Sequence, residues 1–242
     1  MKPSQTKHSG GFTLLETVIA IGVLAVLLTG FMVVFAPAAA GIRKSINVQE
    51  ADRLASTIEQ EMVTARSGET FKTGFEKAFS WIQGSNSAND AILVYQYRGK
   101  LGGTARNDGT PEPVASVQGK LPGEDYVVLP MARRNSDTKF KDDLAAIEGG
   151  VYLVKCTQLV FSTTSGGGLV LGTAGKIADP KGTAGASAIT NADSYPEAVI
   201  AFSADFYTLS AKSASFFSGA AFTTAFSKAK SPVFTRNLAV RR

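Results

Sequence analysis

The sequence predicts an α+β fold: a long N-terminal α-helix, half transmembrane and half amphipathic, packed on a mostly antiparallel β-sheet head. Three observations predict it. Thr17 through Gly41 is a run of 25 residues without a charge, about 37 Å long as a helix against a hydrocarbon layer of about 30 Å. After Gly41 the apolar residues Ile42, Ile46, Leu54, Ile58 and Met62 recur at multiples of four, the spacing of an amphipathic helix. Beyond Gly68 that period fades and short runs of branched and aromatic residues replace it, as in strands. A half-buried sheet needs a cover, and the amphipathic helix supplies one. At 242 residues, the chain has room for one membrane segment and one modest globular domain.

The helix begins behind a basic leader carrying Lys2 and Lys7. Glu16 stands at the mouth of the apolar run. A carboxylate inside a membrane span costs about 2.5–3.5 kcal/mol or more, so it marks a functional site and calls for a partner. The candidate partner is the amine freed if the chain is cut between Gly11 and Phe12. Two simpler readings compete. A secretory signal would use Ala38-Ala39-Ala40 as its cleavage site, but such signals have apolar cores of about 7–15 residues and do not open on a glutamate. A plain signal anchor explains the length and the leader charge, but gives no reason for Glu16 or for Gly11 directly before Phe12. Gly22 and Gly30 suit close helix packing in a membrane, or a point where the helix stretches; each costs about 1 kcal/mol against alanine. Past Gly41, Glu50 interrupts the apolar stripe, while Arg43, Lys44, Asp52, Arg53, Glu59 and Glu61 fill other faces. Ser67-Gly68 is a fitting stop.

Leader charge, the run Gly11-Phe12-Thr13-Leu14-Leu15-Glu16 and the apolar helix appear in register. Together they resemble the type IV prepilin signal, shared by type IV pilins and the pseudopilins of type II secretion systems. The resemblance extends from Lys7 to about Arg66. It implies a prepilin peptidase that cuts after Gly11 and methylates Phe12, the new N-terminus. It implies residues 1–11 as leader, 12–41 as transmembrane and assembly helix, 42–67 as its amphipathic continuation and 68–242 as a β-rich head. The partners it implies are other pilin or pseudopilin subunits in a helical filament, an inner-membrane assembly platform, and membrane lipid before assembly. The head would face the periplasm, and the subunit would then enter a periplasmic pseudopilus or an extracellular pilus. Glu16 would pair with the Phe12 ammonium of an adjacent subunit, gaining register more than stability. The alternative is a membrane-anchored minor pilin acting as an adhesion or DNA-binding module. The chain departs from the family pattern at Pro37, which lies nearer the end of the span than the usual proline, and in having one cysteine, which rules out the disulfide-bounded loop of many major pilins.

In the head, Ala91–Tyr97, Tyr126–Met131 and Val151–Phe161 read as strands. Ile200, Phe202, Ala204 and Phe206 alternate cleanly, which places them on one buried face. Phe234, Leu238 and Val240 suggest a last strand whose apolar face Arg236 interrupts. Residues 214–226, rich in Ala and Phe, fit helix or strand equally. Gly99–Gly123 and Gly172–Asn191 are loops by composition. Trp81 is expected where the helix meets the sheet.

Little in the chain points to catalysis. The one histidine, His8, lies in the leader, so a chain cut after Gly11 has no Ser-His-Asp or Cys-His set and no histidine-ligated metal. Cys156 sits in an apolar run, where a thiol is inert. No cofactor and no metal site is expected: Asp179, Asn191 and Asp193 offer the hard oxygens calcium takes, without the spacing of an established loop. Lys plus Arg number 25 against 20 Asp plus Glu, too mild an excess for nucleic-acid binding. The basic tail of Lys228, Lys230, Arg236, Arg241 and Arg242 suits a solvated sheet edge that discourages pairing.

Overall fold

The computed structural model describes residues 13–162, 166–182, 187–209 and 211–242. Helix α1 runs from Leu14 to Val63 and crosses a division of the chain into two units, one ending at Ile46 and the other spanning Asn47–Arg242.

The first unit is described by one fact. Seventeen large apolar side chains between Leu14 and Ile46 are each more than half exposed. Full burial of one such side chain is worth about 1.5–3 kcal/mol, so water is not the medium for this surface. It is the one described helix long and apolar enough to cross a membrane. Pro37 lies inside it. Ile42 and Ile46, which the fourfold spacing placed on the packed stripe, are 62% and 55% exposed; the buried stripe starts only at Ala51.

In the second unit, α1 sets Ala51, Leu54, Ala55, Ile58 and Met62, all 1% exposed or less, against a sheet. Its strands are β1 (Ile92–Lys100), β2 (Tyr126–Arg134), β3 (Ile147–Phe161), β4 (Leu169–Leu171), β5 (Val199–Leu209) and β6 (Phe234–Arg241). Five run in the order β2-β1-β3-β5-β6, with β4 on the end of β3, and every pairing is antiparallel. The alternation on β5 is realised: Ile200, Phe202, Ala204 and Phe206 are all fully buried. They join Val94, Val154 and the α1 stripe in one core.

The other face of the sheet is covered too. Tyr95, Tyr97, Val151 and Leu153 form a second core with Phe140, Phe217, Phe222 and Phe226. Phe140 comes from α3 (Thr138–Asp143), and the last three from α4 (Ala214–Ser218) and α5 (Ala220–Lys228). The ambiguous stretch 214–226 is therefore helical, because an amphipathic helix lays Phe222 and Phe226, one turn apart, on the same apolar face. Lys155 closes the end of α5, donating to the carbonyls of Phe226 at 2.9 Å and Ala229 at 3.1 Å.

A further helix, α2 (Gly74–Gly84), stands where β signals were expected to take over. Thr73 caps it, accepting from the Glu76 N–H, and Phe75, Ala78, Phe79 and Ile82 bury one face. Trp81 lies on this helix, 3% exposed, within the core facing α1. A Cβ on Gly74 would land on the backbone of Val63, so only glycine lets α2 start this close to the end of α1. That end comes at Val63, four residues before the expected stop. Gly68, at φ +84°, serves the connecting turn instead.

Candidate assembly site

Gly11 and Phe12, the expected cleavage and methylation positions, lie outside the described residues. Glu16 lies within them, in the first turn of α1. Its Oε2 accepts from the Thr13 N–H at 2.9 Å and from the Thr13 hydroxyl at 2.9 Å. The Thr13 Oγ1 in turn accepts from the Glu16 N–H at 3.3 Å. This is a capping box, in which residues three apart satisfy each other's free N–H groups at a helix start. Thr13 followed three residues later by Glu16 ahead of an apolar run is the sequence sign of one, and it was the feature that sequence reasoning missed here. The carboxylate also faces the positive end of the helix dipole. No bond from a described residue reaches Oε1, and no cation of the described chain pairs with Glu16. Around it, Leu14, Leu15, Val18 and Ile19 are 56–84% exposed. A Cβ built on Gly22 or Gly30 would meet nothing within 4 Å, so these two glycines leave open flats on the helix.

The second concentration of charge lies in the head. Glu61, expected on a polar outer face, is only 5% exposed. The correction has a plain cause. Arg66 donates to Glu61 Oε1 at 2.7 Å, and the fully buried Lys77 of α2 donates to the same oxygen at 2.8 Å. Lys77 also reaches the Thr64 carbonyl at 2.9 Å and Glu69 at 2.9 Å, so its three N–H donors are all used. The charges continue through Asp108, Arg133 and Asp143. Arg133 meets Asp108 at 3.0 Å and Asp143 at 3.1 Å, and Tyr95 donates to Asp143 at 2.6 Å. Burial, and then the charge of Asp143, push the Tyr95 phenol well above its usual range. A cleft of about 360 Å³ beside this cluster is lined by Arg66, Trp81, Asp108, Arg133 and Lys139 among others. Within it Arg133 pairs with Asp108 and Asp137, and Arg66 lies over the Asp108 carbonyl at 3.4 Å.

The remaining residues singled out from the sequence do not converge. Cys156 is buried, its N–H donates to Ser85 Oγ at 2.9 Å, and burial raises its thiol far above the usual value, as an inert core thiol requires. Asp179 Oδ1 accepts from the Lys181 N–H, and Asn191 Oδ1 from the Asp193 N–H; both serve local turns. Among the described residues no group of three or more His, Cys, Asp or Glu is placed to hold a metal. Two residues of the basic tail are engaged within the head. Arg236 pairs with Asp52 of α1 at 3.3 Å, which accounts for its interruption of the β6 face. Arg242 donates to the Ala192 carbonyl and stacks over Phe75.

No curated protein and no solved structure matches the chain. Its N-terminus is similar to a known element: residues 6–32 match the prokaryotic N-terminal methylation motif. The match takes in Gly11, Phe12, Glu16 and the apolar span as far as Met32, and leaves the head outside it. The chain thus carries the signature of type IV pilins and pseudopilins, running into a helix long and apolar enough to anchor it in a membrane.

Proposed function

We propose that this protein is the structural subunit of a filament, a type IV pilus-like fibre or a type II secretion pseudopilus. A prepilin peptidase cuts after Gly11 and methylates Phe12. The apolar part of α1 holds the subunit in the inner membrane, with Lys2 and Lys7 on the cytoplasmic side and the head in the periplasm. At the assembly platform, helices of neighbouring subunits replace lipid around it. Glu16 then pairs with the Phe12 ammonium of an adjacent subunit, in a low-dielectric core where charge-assisted bonds are strong and directional.

The observation that carries this reading is the state of Glu16: a carboxylate with no cation in its own described chain, set in an uncovered apolar surface. The cost of such a group is met if the cation arrives with another copy. The open flats at Gly22 and Gly30 suit the close approach of those copies. The engagement of Arg236 with Asp52 and of Arg242 with the Ala192 carbonyl favours this reading over DNA binding, which draws on clustered free cations.

Mass spectrometry of the mature chain is the direct test. A methylated Phe12 N-terminus is the expected result, and a chain starting at Gly41 would identify an ordinary secreted protein. Glu16→Ala is expected to leave processing intact and cut incorporation into sheared filaments by at least about tenfold, since a buried charge left unpaired costs about 3–5 kcal/mol.

A further inference from the structure

We infer that the cleft beside the buried charge cluster of the head binds a small organic anion with a hydroxylated body, a sugar acid or a sugar phosphate. The inference stands apart from the filament role above and does not need it. At about 360 Å³, the cleft is of a size that takes a small molecule. Its acids are engaged. Glu69 meets Lys77 at 2.9 Å and accepts the Arg66 N–H at 3.1 Å. Asp137 accepts from the Arg133 side chain at 3.0 Å and from the Lys139 N–H at 2.9 Å. Asp108 accepts from the Thr110 hydroxyl at 2.6 Å and from Arg133 at 3.0 Å. Two of its cations are not so engaged. Among the described residues Arg134 comes no nearer an acid than 3.6 Å, to Asp90, and Lys139 no nearer than 3.8 Å, to Asp108. Neither side chain makes a hydrogen bond there.

The third open donor is an indole. Trp81 lines the cleft and is 3% exposed, and its Nε1–H is buried with no partner among the described residues. A buried donor left unpaired is costly, and one acceptor oxygen removes that cost. An oxyanion suits all three groups: it brings acceptors for the N–H donors and the charge that Arg134 and Lys139 leave unmatched. Phe71 lies against the Arg134 guanidinium, its ring centre 5.6 Å away, which steadies that cation on the wall. The cleft is larger than a bare phosphate ion needs. Thr70, Ser136 and Thr138 bring hydroxyls to its wall, and these donate and accept, so the rest of the ligand is polar too.

Trp81 is the chain's single tryptophan, so its fluorescence reads the site. The detergent-solubilised full chain is titrated with glucuronate, glucose 6-phosphate, glucose and inorganic phosphate, with calorimetry as a second readout. Glucuronate, glucose 6-phosphate or both are expected to saturate the site below about 1 mM, and the tighter of the two tells carboxylate from phosphate. Glucose and inorganic phosphate should bind at least about tenfold more weakly, the scale of one lost charge-assisted bond. Arg134→Gln combined with Lys139→Gln removes both unmatched charges and spares the buried pairs. It should weaken binding by at least about tenfold and leave the unfolding curve in place. Trp81→Phe, followed by calorimetry, keeps an aromatic ring, loses the N–H and should bind about fivefold more weakly. No binding of either acid by about 10 mM overturns the inference. So does glucose binding as tightly as glucuronate, which removes the anion, or inorganic phosphate as tightly as glucose 6-phosphate, which removes the body. Parent affinity in the double variant or in Trp81→Phe overturns it as well, because the donors named here would then not hold the ligand.

Discussion

Glu16 and Glu61 stand in the first and last turns of the same helix and meet opposite fates. Glu61 is buried, with Arg66 and Lys77 of its own chain donating to its carboxylate. Glu16 is uncovered and, among the described residues, receives only the neutral donors of Thr13. Their surroundings differ in the same sense. Near Glu61 the apolar neighbours Ile58 and Met62 are wholly buried; near Glu16, Leu15 and Ile19 are 68% and 56% exposed. The difference teaches where to look for a missing partner. A chain that buries an acid supplies the base from its own fold, as here with a lysine 16 residues further on. An acid on a surface too apolar for water, with no base among the described residues of its chain, makes physical sense once another molecule brings one.

The largest effect in the head should come from breaking the completed pair. Glu61→Leu leaves the buried Lys77 with Glu69 as its remaining carboxylate, and we expect a loss of about 3–5 kcal/mol in unfolding free energy. Denaturant titration of the detergent-solubilised chain, followed by fluorescence of Trp81, measures it; the indole lies 5.0 Å from the Lys77 ammonium and reports the same locality. A loss below about 1 kcal/mol would erase the contrast with Glu16.

Next comes the apolar surface of the two halves of α1. Leu54→Ala is expected to destabilise the head by about 2–5 kcal/mol through the cavity it leaves. Leu24→Ala, at a site 56% exposed, should leave the same unfolding curve in place. Equal effects would mean that Leu24 contributes as much as Leu54 to the stability of the head.

The smallest effect is acid sensitivity. Burial alone would raise the Asp108 carboxyl, but the hydrogen bonds from Thr110 and the Arg133 charge outweigh it and hold the group below its ordinary 3.8. A carboxyl whose folded value is depressed adds stability above its unfolded value, and that stability drains away as pH falls from about 4 toward the folded value. Asp108→Asn should therefore flatten the fall of the unfolding midpoint in this acid range while changing its slope little at neutral pH. An unchanged acid limb would show that Asp108 is not the group being titrated.

Much of the head was legible because its signals are local. The β5 alternation places four side chains on one face whatever lies across from them. Helix α2 was legible in part: Thr73 and Glu76 have the spacing of a capping pair, and Phe75, Ala78, Phe79 and Ile82 that of a helical face. At 11 residues, it is short enough for the strand-like runs after it to dominate the pattern. Helices α4 and α5 were not legible, because an Ala- and Phe-rich stretch suits either period until Tyr95, Leu153 and Tyr207 present an apolar face that wants a cover.

By itself the sequence determined the membrane-length helix, the basic residues ahead of it, the lone acid at its mouth and the antiparallel strands behind it. Each is a property of neighbours in the chain, set by periodicity, charge and the cost of a carboxylate in oil. The tertiary structure alone decided which stretch of α1 is buried, that the sheet is covered on both faces, and that Glu61 turns inward. Those outcomes depend on groups far apart in the chain: the buried lysine of α2, the phenylalanines of the last helices, and a glycine that lets α2 approach Val63. Burial is settled by what arrives opposite a side chain, and only the folded chain brings those groups together.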